Sequence, residues 1–143
     1  MIEFVQHDPH WRELYETVAA AIQTALGSAA VSVDHVGSTA IPGIIAKPVV
    51  DVLILVAAYD PDARYRDPLA SLGYSFDHRD ARHVFFTGSH EGTAVHVHVV
   101  ETDGEDARAM ITFRDYLRSH ADEARRYEEL KKELGGQHSD VDA

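Results

Sequence analysis

The residues Val49–Val56 read VVDVLILV, a nearly unbroken apolar run, mostly β-branched, with a single acid inside it. The run is far shorter than the roughly 20 apolar residues of a membrane helix, and it suits an interior strand of a sheet, covered on both faces. The rest of the chain must fold so as to pair and bury it. Asp51 is the anomaly, because an unpaired carboxylate in apolar surroundings is costly. It needs a cation, a hydrogen-bond partner or a place in a cleft, which leaves two readings: a metal ligand, or the partner of Arg79, Arg82 or a histidine.

The flanking sequence supplies the other elements. His7-Asp8-Pro9-His10 reads as a helix entry, with Asp8 placed to cap and Pro9 tolerated in the first turn. Trp11, Leu14, Tyr15, Val18, Ala21, Ile22, Ala25 and Leu26 recur at helical spacing, and Gly27 stands where a C-terminal cap belongs. Ala30–Val36 alternates, with Val31, Val33 and His35 on one parity, and predicts a short strand ending at Gly37. Tyr59-Asp60-Pro61-Asp62 breaks the chain before a helix over Arg64–Leu72 that ends at Gly73. Tyr74–Asp77, Val84–Thr87 and Ala94–Glu101 predict an antiparallel meander, joined by a charged turn at Arg79-Asp80 and a Gly-rich turn over Gly88–Gly92.

Asp106–Leu134 predicts a helix broken near Ser119-His120, with inward stripes of Phe113, Tyr116 and Leu117, then Ala124, Tyr127, Leu130 and Leu134. Trp11 and Phe113 read as core. Gly135-Gly136 ends the helix, and the tail 137–143 reads as frayed. No repeat or linker divides the chain, so a single domain over 1–143 is expected.

Two further stretches carry chemistry. At Gly37-Ser38-Thr39 a glycine follows a strand and two hydroxyls stand beside backbone donors, which suits phosphate oxygens or an ordinary turn. A P-loop is excluded: five residues separate Gly37 from Gly43, Lys47 lies four beyond Gly43, and Pro48 holds Lys47 extended. Lys47 either points at a bound anion or is a solvated edge residue.

His96-Val97-His98 sits in an alternating strand, so both imidazoles share a face with Val100 while Val95, Val97 and Val99 face the core. The pair reads as metal ligands, as an acid/base pair, or as the polar side of a solvent-facing strand. With Asp51 on a neighbouring strand it makes a two-histidine, one-carboxylate site, or His98 alone acts as general base. Glu101 is a further ligand or an edge charge; His35 and His83 read as hydrogen-bonded scaffold.

Composition narrows the partners. The absence of cysteine excludes disulfides and thiolate chemistry, and a formal charge of -11 argues against a generic electrostatic hold on nucleic acid or an anionic membrane. No apolar run is long enough to cross a membrane, and no signal-like leader opens the chain, so a soluble cytoplasmic protein is expected. Oligomeric state is not legible at this level.

His35-Val36-Gly37-Ser38-Thr39-Ala40-Ile41-Pro42-Gly43, followed by Ala46-Lys47-Pro48-Val49-Val50-Asp51-Val52, resembles the signature of the GrpB family. Asp8-Pro9 with Trp11, His96-Val97-His98-Val99-Val100 and Phe113-Arg114-Asp115-Tyr116-Leu117-Arg118 extend the resemblance over nearly the whole chain. That family is similar in fold to the nucleotidyltransferase superfamily, in which a Gly-Ser turn precedes a strand bearing Asp-x-Asp or Asp-x-Glu. There the turn holds a nucleotide's phosphates, and the carboxylates hold divalent metals at the attacking and leaving oxygens. The resemblance implies an α+β fold, a mixed β-sheet with flanking helices. It matches Gly37-Ser38 to the turn and Asp51 to the first acid; Leu53 occupies the second acid's place. Family members commonly continue beyond the late helix into another lysine-bearing helical segment, whereas this chain ends at Ala143.

The expected function is therefore nucleotidyltransferase-like. Gly37, Ser38, Thr39 and Lys47 would hold the phosphates of a nucleotide or phosphorylated small molecule. Asp51, His96 and His98 would hold a divalent metal, magnesium or manganese with zinc as the softer option, and Asp51 and His98 would serve transfer of a nucleotidyl group. Two alternatives stand beside it: a catalytically reduced nucleotide- or metabolite-binding module, which Leu53 favours, and a His/Asp metal-dependent hydrolase.

Overall fold

The computed structural model describes residues 3–134; Gly135-Gly136 and the expected frayed tail lie outside the described residues. Helix α1 (His10–Leu26) opens where the Asp8 carboxylate accepts the N–H of His10 at 2.9 Å, and it closes on Gly27. There follow β1 (Ser32–Val36), β2 (Val49–Val56), α2 (Ala63–Ser71), β3 (Ser75–Arg79), β4 (Val84–His90), β5 (Thr93–Glu101), α3 (Glu105–Ser119) and α4 (Ala121–Leu134). The strands form one sheet in the order β1-β2-β5-β4-β3. β2 runs antiparallel to β1 and parallel to β5, while β3, β4 and β5 form the expected meander. The fold is α+β with a mixed sheet.

The apolar strand is interior, as its composition demands. One face of the sheet carries Val50, Val52, Ile54, Val95, Val97, Val99 and Phe86 against Trp11, Leu14, Val18 and Ile22 of α1 and Leu69 of α2, all in one buried cluster. The other face carries Asp51, Leu53, His96, His98 and Phe85, because successive side chains on a strand alternate. Helix α3 covers only part of that face: Ala107, Met110 and Ile111 pack on Val36, Leu53 and Val100. Toward β4 and β3 the face is open, and that opening is the cleft. Among the described residues, no helix is long and apolar enough to cross a membrane.

Several expectations change in detail. β4 runs on through Gly88 to His90, which pairs with Thr93, so the hairpin closes at Glu91-Gly92 rather than over Gly88–Gly92. The late helix breaks at His120 as expected, but its inner stripes differ. Phe113 is 47% exposed, Tyr116 46% and Leu130 47%, so none belongs to the core. The positions that face inward instead include Arg114, Glu128 and Lys131, whose charged ends bond to buried or part-buried oxygens and an N–H of the loop and strand below. A stripe drawn through apolar residues alone is thereby rotated away from the true one.

Candidate functional site

β1 ends at Gly37, where φ is 76° and ψ -178°, a region that side-chain-bearing residues rarely adopt. A Cβ at this position would collide with the carboxylate of Asp51. Glycine is therefore required twice, by its backbone and by the acid against it. Ser38–Ala40 form a single 3-10 turn, and Ser38 and Thr39 are both buried.

Three charged side chains from the C-terminal helices hold this turn in place. Arg114 donates to Asp34 Oδ1 and to the His35 carbonyl, both at 3.2 Å, and Arg118 donates to the Ala40 carbonyl at 2.9 Å. Lys131, fully buried, donates to the Ser38 hydroxyl and, at 3.5 Å, to the Ile45 carbonyl. On the other side, His35 stacks on Tyr15 with ring centroids 4.7 Å apart, and its Nε2 meets the Thr39 hydroxyl at 2.9 Å. Burial, with the Arg118 and Arg114 charges adding to it, pushes the His35 imidazole down to about 3. Burial, with Asp34 nearby, pushes the Tyr15 hydroxyl up to about 12.

β2 and β5 are parallel neighbours with Asp51 opposite His96 and Leu53 opposite His98. This register brings the three polar side chains together. Asp51 Oδ1 lies 3.1 Å from His98 Nε2 and 3.9 Å from His96 Nδ1. Of the partners considered for Asp51, the histidine is the one realised; Arg79 pairs with Asp60 and Arg82 with Asp106, each at 3.1 Å. Nδ1 of His98 is buried and has no hydrogen-bond partner among the described residues. A buried ring nitrogen without a protein partner is uncommon and calls for a water, an ion or a ligand to satisfy it.

Gly37, Ser38, Asp51 and His98 line one small recess of about 60 Å³, closed over by Met110, Phe113 and Tyr127. Asp51 and His98 also line a cleft of about 850 Å³ that extends past His96, Phe85 and His83 to Lys47, Arg82 and Asp106. Lys47 thus stands on the cleft wall. The Thr39 hydroxyl is engaged with His35, and Glu101 accepts the Tyr59 N–H at 2.9 Å, so it is an edge residue rather than a part of this cluster.

Leu53 is wholly buried in the packing beneath α3. The donor set on β2 and β5 is therefore one carboxylate and two imidazoles. Two magnesium ions, which take oxygen ligands, do not fit it; its donor types suit one ion of manganese's or zinc's class, but among the described residues these three do not gather one ligand atom each within 4.8 Å of one another, as His78, Asp80 and His83 do.

Sequence reading quoted Arg114 and Arg118 within the family motif without giving either a role, and it missed Lys131. Their signal was a charged residue recurring at inward helical spacing, which apolar periodicity ignores.

A family model described as GrpB protein matches residues 1–143. The chain belongs to the GrpB family. A UPF0157 protein of Pseudomonas aeruginosa is 38% identical over 139 residues, covering 93% of this chain, and the chain spans 57% of that relative's length. The solved structure of the conserved protein GrpB from Enterococcus faecalis superposes with a TM-score of 0.83 at 27% identity, covering 97% of this chain and 86% of that one. The Cid1 poly(U) polymerase, solved with MgGTP bound, superposes with a TM-score of 0.58 at 10% identity, covering 81% of this chain and 40% of the polymerase. This chain thus has a nucleotidyltransferase-like fold, and at that identity the likeness concerns the fold alone.

Proposed function

We propose that this GrpB domain is a cytoplasmic protein that binds a nucleotide or phosphorylated small molecule in the cleft beside Asp51, with the phosphate end in the Gly37-Ser38 recess. The observation that carries this reading is the convergence of Gly37, Ser38, Asp51 and His98 on one recess. Lys131 stands behind Ser38 and orients its hydroxyl, and Lys47 supplies a cation at the cleft wall. Asp51, His98 and His96 are the residues that would hold a divalent ion. Such an ion would neutralise phosphate charge and polarise a phosphoryl oxygen. His98, with Nε2 toward Asp51, would hold or move a proton at the recess wall.

Nucleotidyl transfer is the activity this arrangement approaches most closely. A binding module without turnover is the second reading, supported by Leu53, which fills the second acid's position with packed hydrocarbon. Calorimetry with ATP, GTP and CTP, each with magnesium or manganese, tests the binding. Heat is expected with wild type, and Asp51→Ala should abolish it while leaving the melting temperature near that of wild type. No heat from wild type with any of the three would overturn the proposal. Labelled nucleotide separates the two readings: transfer of label marks a transferase, and binding without turnover marks the module.

A further inference from the structure

The β3–β4 hairpin carries a second cluster at the rim of the cleft. His78, Asp80 and His83 each offer one ligand atom, and these atoms lie within 4.8 Å of one another. A β-bulge brings His78 there. Phe76 pairs with Phe86 and His78 with Phe85, so Asp77 is the extra residue on β3. With regular pairing His78 would share the face of Phe76, which meets the core residue Phe86 edge-on at 5.9 Å. The bulge turns it to the opposite face, where its ring lies 5.4 Å from Phe85 and 5.6 Å from His83.

The same bulge places the Asp77 carboxylate 2.6 Å from Nδ1 of His78. That leaves Nε2 directed at Asp80, 3.4 Å away. His83 Nδ1 approaches the other Asp80 oxygen at 3.3 Å. A carboxylate behind an imidazole is the outer partner that orients metal-binding histidines and raises their basicity. Asp80 is held as well, accepting the N–H groups of Arg82 at 2.8 Å and His83 at 3.0 Å.

We propose that His78, Asp80 and His83 form a binding site for one transition-metal ion of zinc's class, separate from the Asp51 recess. Two imidazoles and one carboxylate are the donor set of open zinc sites, in which a fourth position stays available to water or substrate, whereas magnesium and calcium prefer oxygen alone. All three residues line the 850 Å³ cleft, and the His83 ring stands 5.2 Å from that of His98. An ion held here would present its open position to the cleft's occupant. The site does not depend on what that occupant is.

The test is zinc binding by the metal-free full chain, followed by calorimetry and by the shift of melting temperature with zinc. Wild type and Asp51→Ala are both expected to bind zinc and to melt higher with it. The double variant His78→Gln, His83→Gln should take up one ion fewer than wild type and lose that part of the thermal shift. Asp77→Asn, which keeps all three ligands, should weaken uptake by about 10- to 100-fold. Melting of the double variant without zinc, expected to match wild type because the hairpin tip is largely exposed, separates lost ligands from a lost fold. The proposal is overturned if wild type takes up no zinc, if the folded double variant binds as wild type does, or if Asp51→Ala alone abolishes all binding.

Discussion

Gly37 and His35 show how much of the site rests on single residues. Gly37 combines a left-handed φ with contact against Asp51, whereas Gly43 has a similar φ of 84° and nothing near its missing Cβ. Gly43→Ala should therefore cost only backbone strain, about 1–3 kcal/mol. Gly37→Ala should cost that and more, because the Asp51 carboxylate must move; urea midpoints of the two variants measure the difference. His35 gives a pH dependence whose sign follows from its lowered pKa. Between about 3 and the ordinary 6.5, the unfolded chain protonates this imidazole and the folded chain does not. The contribution is complete above 6.5 and is lost as pH falls toward 3, with a slope of about 1.4 kcal/mol per pH unit. Urea unfolding from pH 7 to pH 4 should show a shallower slope for His35→Gln than for wild type.

At the scale of elements, α3 and α4 dock on the glycine turn through polar ends rather than through a continuous apolar stripe. Arg114 is the clearest case, with its side chain only 11% exposed and its guanidinium shared among Asp34, the His35 carbonyl and its neighbour Asp115. Arg114→Met keeps the hydrocarbon stem but leaves a part-buried carbonyl and carboxylate without their donor. A loss of about 1–3 kcal/mol is expected in urea or thermal unfolding. The exposed Phe113, with Tyr127 edge-on at 5.2 Å, lines the cleft instead of filling the core. Its apolar character therefore belongs to the recess. The bulge in β3 is a similar device, since one unpaired residue reorients His78 without changing the strand order.

For the whole molecule, a shared fold does not imply a shared partner. The chain superposes on a poly(U) polymerase, yet its net charge of -11 opposes the approach of a polyanion, whose affinity rests largely on neutralised phosphates. A small nucleotide held by the local donors of one recess escapes most of that penalty. Fluorescence anisotropy with single-stranded oligouridine at 150 mM salt should show no saturable binding at micromolar protein. Binding that weakens steeply with salt would contradict this expectation.

The element list was legible in the sequence because local signals agree there: the apolar run of β2, the spacing along α1, and the alternation in β5. The glycine-serine turn and Asp51 were legible through their residue types, as was the pairing of His96 and His98 on one face. Whether these groups meet was decided only by the tertiary structure. The parallel β2–β5 register sets Asp51 opposite His96 and within reach of His98, and such long-range pairing leaves no trace in local sequence. The same holds for Arg114 and Lys131, whose inward direction depends on what α3 and α4 pack against. Residue type selected the chemistry of the recess, and the packing of distant segments decided which groups share it.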